Sequence, residues 1–462
     1  MTMERERVRV GLISLGCAKN LVDSEAMLGA LRRAGVDITS DPEQADVLII
    51  NTCGFITPAK RESIDTILEM ARYKQMGRCR KLVVTGCLAQ RYHRDLVRLI
   101  PEVDVWLGID DVERIVTACL DPDFRGDRVS SVQPVWIYDL QMPRVRTTPA
   151  HFAYVKIAEG CNHTCTFCAI PRIRGRYRSR TVESIVAEVR QLVADGVREV
   201  ILISQDTTYY GIDLGLRDGL LRLLDALHAI PELRWIRLLY LYPDTLPRDF
   251  PRRFADFPKL CRYLDLPFQH SHPDILRAMR RRGSRAHYLD LLHAYRTAVP
   301  DIVIRTTFIV GFPGETDAHF ADLLEFIDQA EFDHVGVFVY SDEEDTPAHG
   351  LQPKVPLRVA RMRRRRLLEA QQQVLLRKRT RWEGRTVDVV LDAWVPQSAS
   401  PWRYRGRHYG QAPDVDGVVW VSADRPLTVG TWVRATIHTM RLYDLDATVS
   451  EEVHIVSQPR CS

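Results

Sequence analysis

A chain of 462 residues, 45% hydrophobic and 27% charged, has the composition of folded globular protein, and it contains no run of the roughly 20 apolar residues that a bilayer span requires. The length exceeds one ordinary core and points to about three domains, while the charged opening MTMERERVRV is not the pattern of a secretory leader. A net charge of only +4 gives no bulk electrostatic case for a nucleic-acid binder.

In the first region, residues 1–145, the stretches VRVGLISLGC (8–17), ADVLIINTC (45–53) and KLVVTGC (81–87) read as short apolar strands. Between them SEAMLGALRRAG (24–35) and AKRESIDTILEMARYK (59–74) repeat apolar residues at three- and four-residue spacing, as amphipathic helices do. This alternation predicts a parallel sheet covered by helices. All three strands run into a cysteine: Cys17, Cys53 and Cys87. The carboxyl ends of parallel strands share one edge, so these thiols are expected to converge in a metal site. The ten cysteines are expected in a reducing, cytoplasmic setting, where clustered thiols bind metal and disulfides are rare. Cys79, Cys119, Cys261 and Cys461 have no partner spacing and read as small apolar residues.

The middle region, residues 146–380, repeats a strand–helix unit six times. Its strands lie in FAYVKIAEGC, REVILISQDTT, RWIRLLYLYPD, CRYLDLPFQHS, DIVIRTTFIVGFPGE and DHVGVFVYSDEED. Six such units predict an open, partial (β/α) barrel with its chemistry at the strand carboxyl ends. Gly196 and Gly283 are placed as helix stops. The first strand opens onto EGCNHTCTFCAIP (159–171), which sets Cys161, Cys165 and Cys168 in a C-x3-C-x2-C spacing. Three thiols fall one short of the closed four-ligand zinc and iron–sulfur sites, which leaves one coordination position open. VGFPGE (310–315) lacks the lysine of a phosphate loop, and His270 and His272 form an H-x-H with no third ligand in view. A basic helix is expected over about 357–381. Residues 381–455 hold short strands separated by turn residues, a pattern that predicts a small antiparallel β-barrel.

The segment GCNHTCTFCAIP resembles the signature of the radical S-adenosylmethionine enzymes. The order of the three regions, together with SLGCAKNLVDSE (14–25), resembles the methylthiotransferases over nearly the whole chain. The likeness is to the RimO type, which modifies a ribosomal protein; the tRNA-modifying relatives tend to carry a Gln-Met or similar pair where this chain has Ala18-Lys19. The resemblance implies two 4Fe–4S clusters, one on Cys161, Cys165 and Cys168 and an auxiliary one on Cys17, Cys53 and Cys87. S-adenosylmethionine would complete the first cluster, supplying the ligand that the motif lacks. The implied product is a methylthio group on the β-carbon of an aspartate in ribosomal protein S-twelve. Two S-adenosylmethionine molecules would be used, one as methyl donor and one as source of a 5′-deoxyadenosyl radical, with separate electron and sulfur donors.

By position, the resemblance puts Phe167 against the adenine of the cofactor. It puts Ser204, Gln205 and Asp206 near the methionine or ribose, and Gly311 and Gly314 where the backbone approaches the cofactor. The last region resembles a TRAM domain, usually an RNA binder. Yet residues 381–452 carry eight arginines against ten carboxylates, and phosphate binding requires clustered positive charge. Asp342, Glu343, Glu344 and Asp345 follow the sixth barrel strand and are expected at the site mouth, where they would attract a basic peptide. Against this stand RIRGRYRSR (172–180) and the basic 357–381 helix, either of which could touch ribosomal RNA. The alternative substrate is a tRNA adenosine, for which a net-basic terminal domain is expected. A zinc-stabilised RNA binder would need closed four-ligand sites, and both sites here offer three cysteines.

Overall fold

The computed structural model describes residues 7–247, 249–396 and 402–452; Cys461 and the last residues of the terminal region, from 453 on, lie outside the described residues. The chain opens with six parallel strands, β1 (Arg9–Ser14), β2 (Asp37–Thr39), β3 (Val47–Thr52), β4 (Lys81–Gly86), β5 (Val105–Trp106) and β6 (Gly126–Asp127). Their order in the sheet is β2-β1-β3-β4-β5-β6. β3 and β4 are buried along their whole length, as their unbroken apolar runs require. Helices α1 (Ala18–Arg33), α2 (Thr57–Ala71), α3 (Tyr73–Met76), α4 (Cys87–Leu99) and α5 (Ile115–Leu120) form the connections. α1 buries Lys19, Asn20, Asp23, Ser24 and Glu25 along with its apolar residues, because it packs against the next sheet as well as its own.

That next sheet is the open barrel. Its first half holds β7 (Phe152–Lys156), β8 (Ala158–Glu159), α6 (Ile170–Arg174), β9 (Arg178–Ser179), α7 (Val182–Ala194), β10 (Glu199–Ile203), α8 (Gly219–His228) and β11 (Trp235–Leu238). The second half holds α9 (Phe250–Phe254), β12 (Tyr263–Asp265), α10 (Pro273–Ala278), α11 (Arg285–Ala298), β13 (Val303–Val310), α12 (Asp317–Ala330), β14 (His334–Val339) and α13 (Leu357–Lys378). Parallel trios β11-β10-β7 and β12-β13-β14 are linked by a parallel bridge between Ile236 and Leu260, so the six expected strands form one arc in chain order. β8 and β9 pair separately. Alternate residues such as Val155, Leu202, Leu238 and Phe308 face the helices and make the largest apolar cluster. Thr181 caps α7 through Ser184 N, and Gly196 (φ 99°) stops that helix as expected. Gly283 does not stop a helix. It precedes Ser284, the cap of α11, and a Cβ on it would lie 2.4 Å from the Tyr288 ring.

The last strands, β15 (Thr386–Trp394), β16 (Arg403–His408), β17 (Val419–Ser422), β18 (Trp432–Arg441) and β19 (Asp444–Glu452), close into a barrel in the order β15-β16-β17-β19-β18. The expected antiparallel pattern holds except at the closure, where β17 and β19 run parallel. This small barrel covers the amino end of the open one, and the first residue of each of the six strands meets it. Phe152 lies under the Arg407 guanidinium, Glu199 accepts from Arg407 Nη1 at 2.9 Å, and Trp235 meets Trp432 edge-on at 4.4 Å. Tyr263 donates to Asp416 at 2.6 Å, Gly410 packs on Val303, and His334 Nε2 lies 3.0 Å from the Gly410 carbonyl. Trp432 is fully buried at this seam. Trp432→Ala is therefore expected to cost about 3–5 kcal/mol, lowering the unfolding midpoint in differential scanning calorimetry of the full chain.

Candidate functional site

Cys161 follows β8 and Gly160, and the loop to Cys168 is stitched to the far side of the barrel mouth. Thr166 N donates to Met279 O at 3.1 Å, Thr166 Oγ1 donates to Ala278 O at 2.8 Å, and Ala348 N donates to Thr166 O at 2.9 Å. The Cys161 sulfur accepts from His163 N at 3.4 Å. Burial pushes the Cys161 thiol up to about 12, and the neighbouring charges of Asp206 and Cys165 push the same way. Cys168 is raised by burial and then by the charges of Cys165 and Cys161. The three sulfurs thus sense one another as neighbours. A buried cation, Arg281, stands over the Tyr242 ring at 4.1 Å and acts on Cys165. Three adjacent thiols facing a buried cation suit a thiolate-bound cluster.

The second triad forms at the sheet edge where it was expected. Cys17 takes the cap position of α1, Cys53 follows β3, and Cys87 opens α4. Close approach depends on glycine. A Cβ on Gly16 (φ 90°) would lie 3.0 Å from the Cys53 sulfur, and one on Gly54 would lie 2.8 Å from the Cys87 carbonyl oxygen. Burial pushes Cys53 up to about 12, with the charges of Cys87 and Cys17 adding to it. Cys87 is raised by burial, against the lowering pull of Arg174. Cys17 reaches solvent yet is densely walled by protein. Burial works to raise it, but Lys19, Arg174 and backbone bonds from Asn20 and Lys19 outweigh that and bring it below the ordinary thiol value.

The two triads are joined through Arg174, at the end of α6. Its side chain is buried and donates to Cys87 Sγ from Nε and Nη2 at 3.4 and 3.3 Å. Nη1 donates to Asp23 Oδ2 at 2.7 Å and Glu159 Oε2 at 3.0 Å, and Nη2 donates to Asn20 Oδ1 at 2.8 Å. Lys156 pairs with both of the same carboxylates, reaching Glu159 at 2.7 Å. Lys19, on the other side, lies 3.2 Å over the Tyr240 ring. None of Arg174, Lys19, Arg281 and Lys156 was read as functional from the sequence; the alternation in RIRGRYRSR was the one available signal, and it suggested RNA. Three of those five arginines turn inward instead: Arg174 as above, Arg178 to the Trp136 and Arg174 carbonyls, and Arg180 to Glu188. Arg172 and Arg176 are exposed.

The other expected site residues are placed unevenly. Phe167 packs against Ile275, Met279, Phe312 and Ala348 at the ends of the later barrel strands. Ser204 is buried against Thr207, and Asp206 caps the short turn 207–209 while pairing with His163 Nε2 at 2.6 Å. Gln205 donates to Glu159, and its carbonyl oxygen is buried without a protein partner, so a bound group has an acceptor to meet there. Gly311 (φ 76°) faces α13, where a Cβ would lie 2.4 Å from that of Ala360. Gly314 faces open space. His272 gains neighbours that the sequence did not show, Asp274 and His319, with ligand atoms mutually within 4.8 Å. Both imidazoles already accept backbone N–H groups at Nδ1, as helix caps.

Three family models match the chain: the Radical SAM superfamily over residues 155–327, Uncharacterized protein family UPF0004 over 9–108, and the TRAM domain over 384–449. A Desulforamulus reducens protein named "Ribosomal protein uS12 methylthiotransferase RimO" is 47% identical over 439 residues, 94% of this chain and 98% of that protein. Proteins of the same name from Heliobacterium modesticaldum and Symbiobacterium thermophilum are 46% and 47% identical, over 95% and 97% of this chain and 94% and 92% of their own. This chain belongs to the RimO family. It is a radical S-adenosylmethionine methylthiotransferase, and the radical superfamily implies a 4Fe–4S cluster and S-adenosylmethionine. Among solved structures, the radical S-adenosylmethionine methyltransferase TsrM of Kitasatospora setae matches with a TM-score of 0.54 over 74% of each chain, a likeness of fold at 15% identity. Among the described residues no helix is long and apolar enough to cross a membrane.

In this RimO-family chain the acidic run after β14 does not present free charge at the mouth. Glu343 is buried and accepts from Lys60 Nζ at 2.8 Å and Arg91 Nη1 at 2.9 Å. Asp345 pairs with Arg91, Glu344 accepts from Tyr92, and Asp342 accepts from Lys354 at 2.8 Å. Arg91 also donates to Gly54 O at 2.8 Å, directly beyond Cys53. Glu343, Glu344 and Asp345 form a clasp holding α2 and α4 against the barrel, because Lys60, Arg91 and Tyr92 of the first sheet's helices engage them. Asp342 is taken by Lys354 within the barrel unit. Beside it, α2, β14 and α13 wall a groove of about 1380 Å³. Arg91→Met leaves the buried Glu343 with Lys60 as its one cation and takes the partner from Asp345, so a loss of about 3 kcal/mol is expected as a lower thermal midpoint. Burial works to raise the Glu343 carboxyl, but bonds from Lys60 and Ser341 and the charges of Lys60 and Arg91 outweigh it and hold it below the ordinary value. Its contribution is therefore whole above about pH 4.3 and fades as pH falls through the lower folded value. Protection factors for hydrogen exchange over residues 57–60 and 341–346, taken relative to the intrinsic rate at each pH, are expected to be unchanged from about pH 8 to 5 and to fall only in stronger acid.

Proposed function

We propose that this chain transfers a methylthio group to the β-carbon of an aspartate in ribosomal protein uS12, using one S-adenosylmethionine as methyl donor and another as radical source. The observation that carries this reading is the pair of cysteine triads at the facing carboxyl edges of two parallel sheets, with Arg174 spanning them. Residues 1–145, 146–380 and 381–455 are read as the auxiliary-cluster, radical and TRAM-like units, working in the cytoplasm, where thiols stay reduced. The two 4Fe–4S clusters, on Cys161, Cys165 and Cys168 with S-adenosylmethionine and on Cys17, Cys53 and Cys87, would supply the reductive cleavage and the sulfur site.

The chain's own residues prepare the ground for that chemistry. Arg281 and Lys19 set positive charge beside thiolates that burial alone would disfavour. Phe167, packed at the barrel mouth, would meet the adenine face, and the unpartnered Gln205 carbonyl oxygen would accept from a polar group of the cofactor. The terminal barrel seals the floor of the open barrel and keeps water from that end. For the substrate, the names of relatives 46% and 47% identical over nearly the whole chain weigh most. The terminal region's eight arginines against ten carboxylates also suit a basic protein better than RNA. Arg358, Arg361, Arg365 and Arg366 are exposed on α13 and would meet ribosomal RNA near the target.

Anaerobic incubation with cofactor, reductant, sulfide, uS12 and total tRNA, followed by mass spectrometry, tests the reading. A methylthio-sized increase on a uS12 aspartate with tRNA nucleosides unchanged is expected; an increase on an adenosine would overturn the substrate assignment. Cys53→Ala is expected to abolish methylthiolation and keep S-adenosylmethionine cleavage, whereas Cys165→Ala loses both. Turnover retained in Cys53→Ala would remove the auxiliary cluster from the scheme.

A further inference from the structure

We propose that Arg174 is a positioning residue that ties the radical site to the auxiliary site and sets the auxiliary cluster's reduction potential by donating to the Cys87 sulfur. The inference rests on the two-cluster reading above. Arg174 lies six residues beyond Cys168, yet two of its donor atoms reach the sulfur of Cys87, 87 positions earlier in the chain. Its remaining contacts run back to Glu159, two residues before Cys161, and to Asp23 and Asn20 on α1, the helix that Cys17 caps. One rigid guanidinium therefore touches the segments that carry all three cysteines of one triad and two of the other.

A purely structural account would have Arg174 neutralise Asp23 and Glu159. Lys156 shares both of those carboxylates from the barrel side, so charge balance asks only for a second cation there and does not require any donor to reach sulfur. The side chain is nonetheless oriented so that Nε faces only the Cys87 sulfur and Nη2 shares its donors between that sulfur and Asn20 Oδ1. Hydrogen bonds to cluster sulfurs stabilise the more negative, reduced state, and so move the potential upward. An ammonium cannot reproduce this two-pronged contact, because it is a point charge without a planar fork. Arg174→Lys thus keeps the buried charge balance while losing the paired bonds to Cys87.

The test is redox titration followed by electron paramagnetic resonance, on the full chain reconstituted anaerobically, for wild type, Arg174→Lys and Arg174→Gln. The expected result is an auxiliary midpoint more negative in both variants and a radical-cluster midpoint unchanged. Methylthiolation is expected to fall at least about tenfold while S-adenosylmethionine cleavage persists, in line with the usual cost of removing a partner behind a metal ligand. An auxiliary midpoint unmoved in both variants would overturn the proposal and leave Arg174 a charge-balancing residue. A wild type that takes up iron for one cluster only would instead overturn the two-cluster reading on which it stands.

Discussion

Asp23, Lys156, Glu159 and Arg174 are shut away from solvent where the edges of two parallel sheets meet, and each tolerates burial because the others are in place. Taking a single charge into such a place costs several kcal/mol, and removing one member of a buried set commonly costs about 3–5 kcal/mol. Glu159 shows the balance plainly: burial works to raise its carboxyl, and Arg174 and Lys156 overcome that and hold it far below the usual range. Two members come from the barrel strands and their short hairpin, one from α1 and one from α6. The set can be complete only with the first sheet docked on the barrel. Cysteines that sit beside its members are thereby held at a fixed spacing, whatever each loop would prefer alone.

The same logic recurs along the rest of the seam. Arg144 reaches Glu25 on α1 and Glu188 on α7, all of them buried, and Arg91 reaches Glu343 beyond β14. The joint between the first sheet and the barrel thus sets buried ion pairs beside small apolar contacts such as the cluster of Ile109 with Ile173, and the joint with the terminal barrel sets them beside aromatic rings such as Trp235 and Trp432. Apolar contacts do not specify orientation well; bidentate charge pairs do.

What could be read in advance followed from periodicity and spacing. β3 and β4, the six barrel strands and the C-x3-C-x2-C spacing are local patterns, and Cys17, Cys53, Cys87 and Cys161 each sit within a few residues of a strand end because apolar runs mark where strands stop. Charge was less legible. RIRGRYRSR and the acids at 342–345 look alike as solvated runs, and nothing local says that Asp23, Glu188, Lys60 and Arg91 will fold against them. These partners lie up to 283 positions away in sequence. Gly311 is ambiguous for a related reason: a glycine that makes room for α13 has the same letter as one that serves a cofactor. The parallel closure between β17 and β19 likewise depends on a crossover that short strands do not announce.

Six strands make an arc, and an arc cannot shut its own lower end as a full ring of strands does. The terminal barrel does this from outside, touching the start of every strand, so the interior becomes a vessel stoppered at the bottom. Traffic is then directed to the upper mouth, beside which the clasp around Arg91 lies. Loading and unloading share that opening. A bulky protein substrate resting there would hold spent small molecules inside until it leaves, and the order of departures would be imposed by the shape of the container.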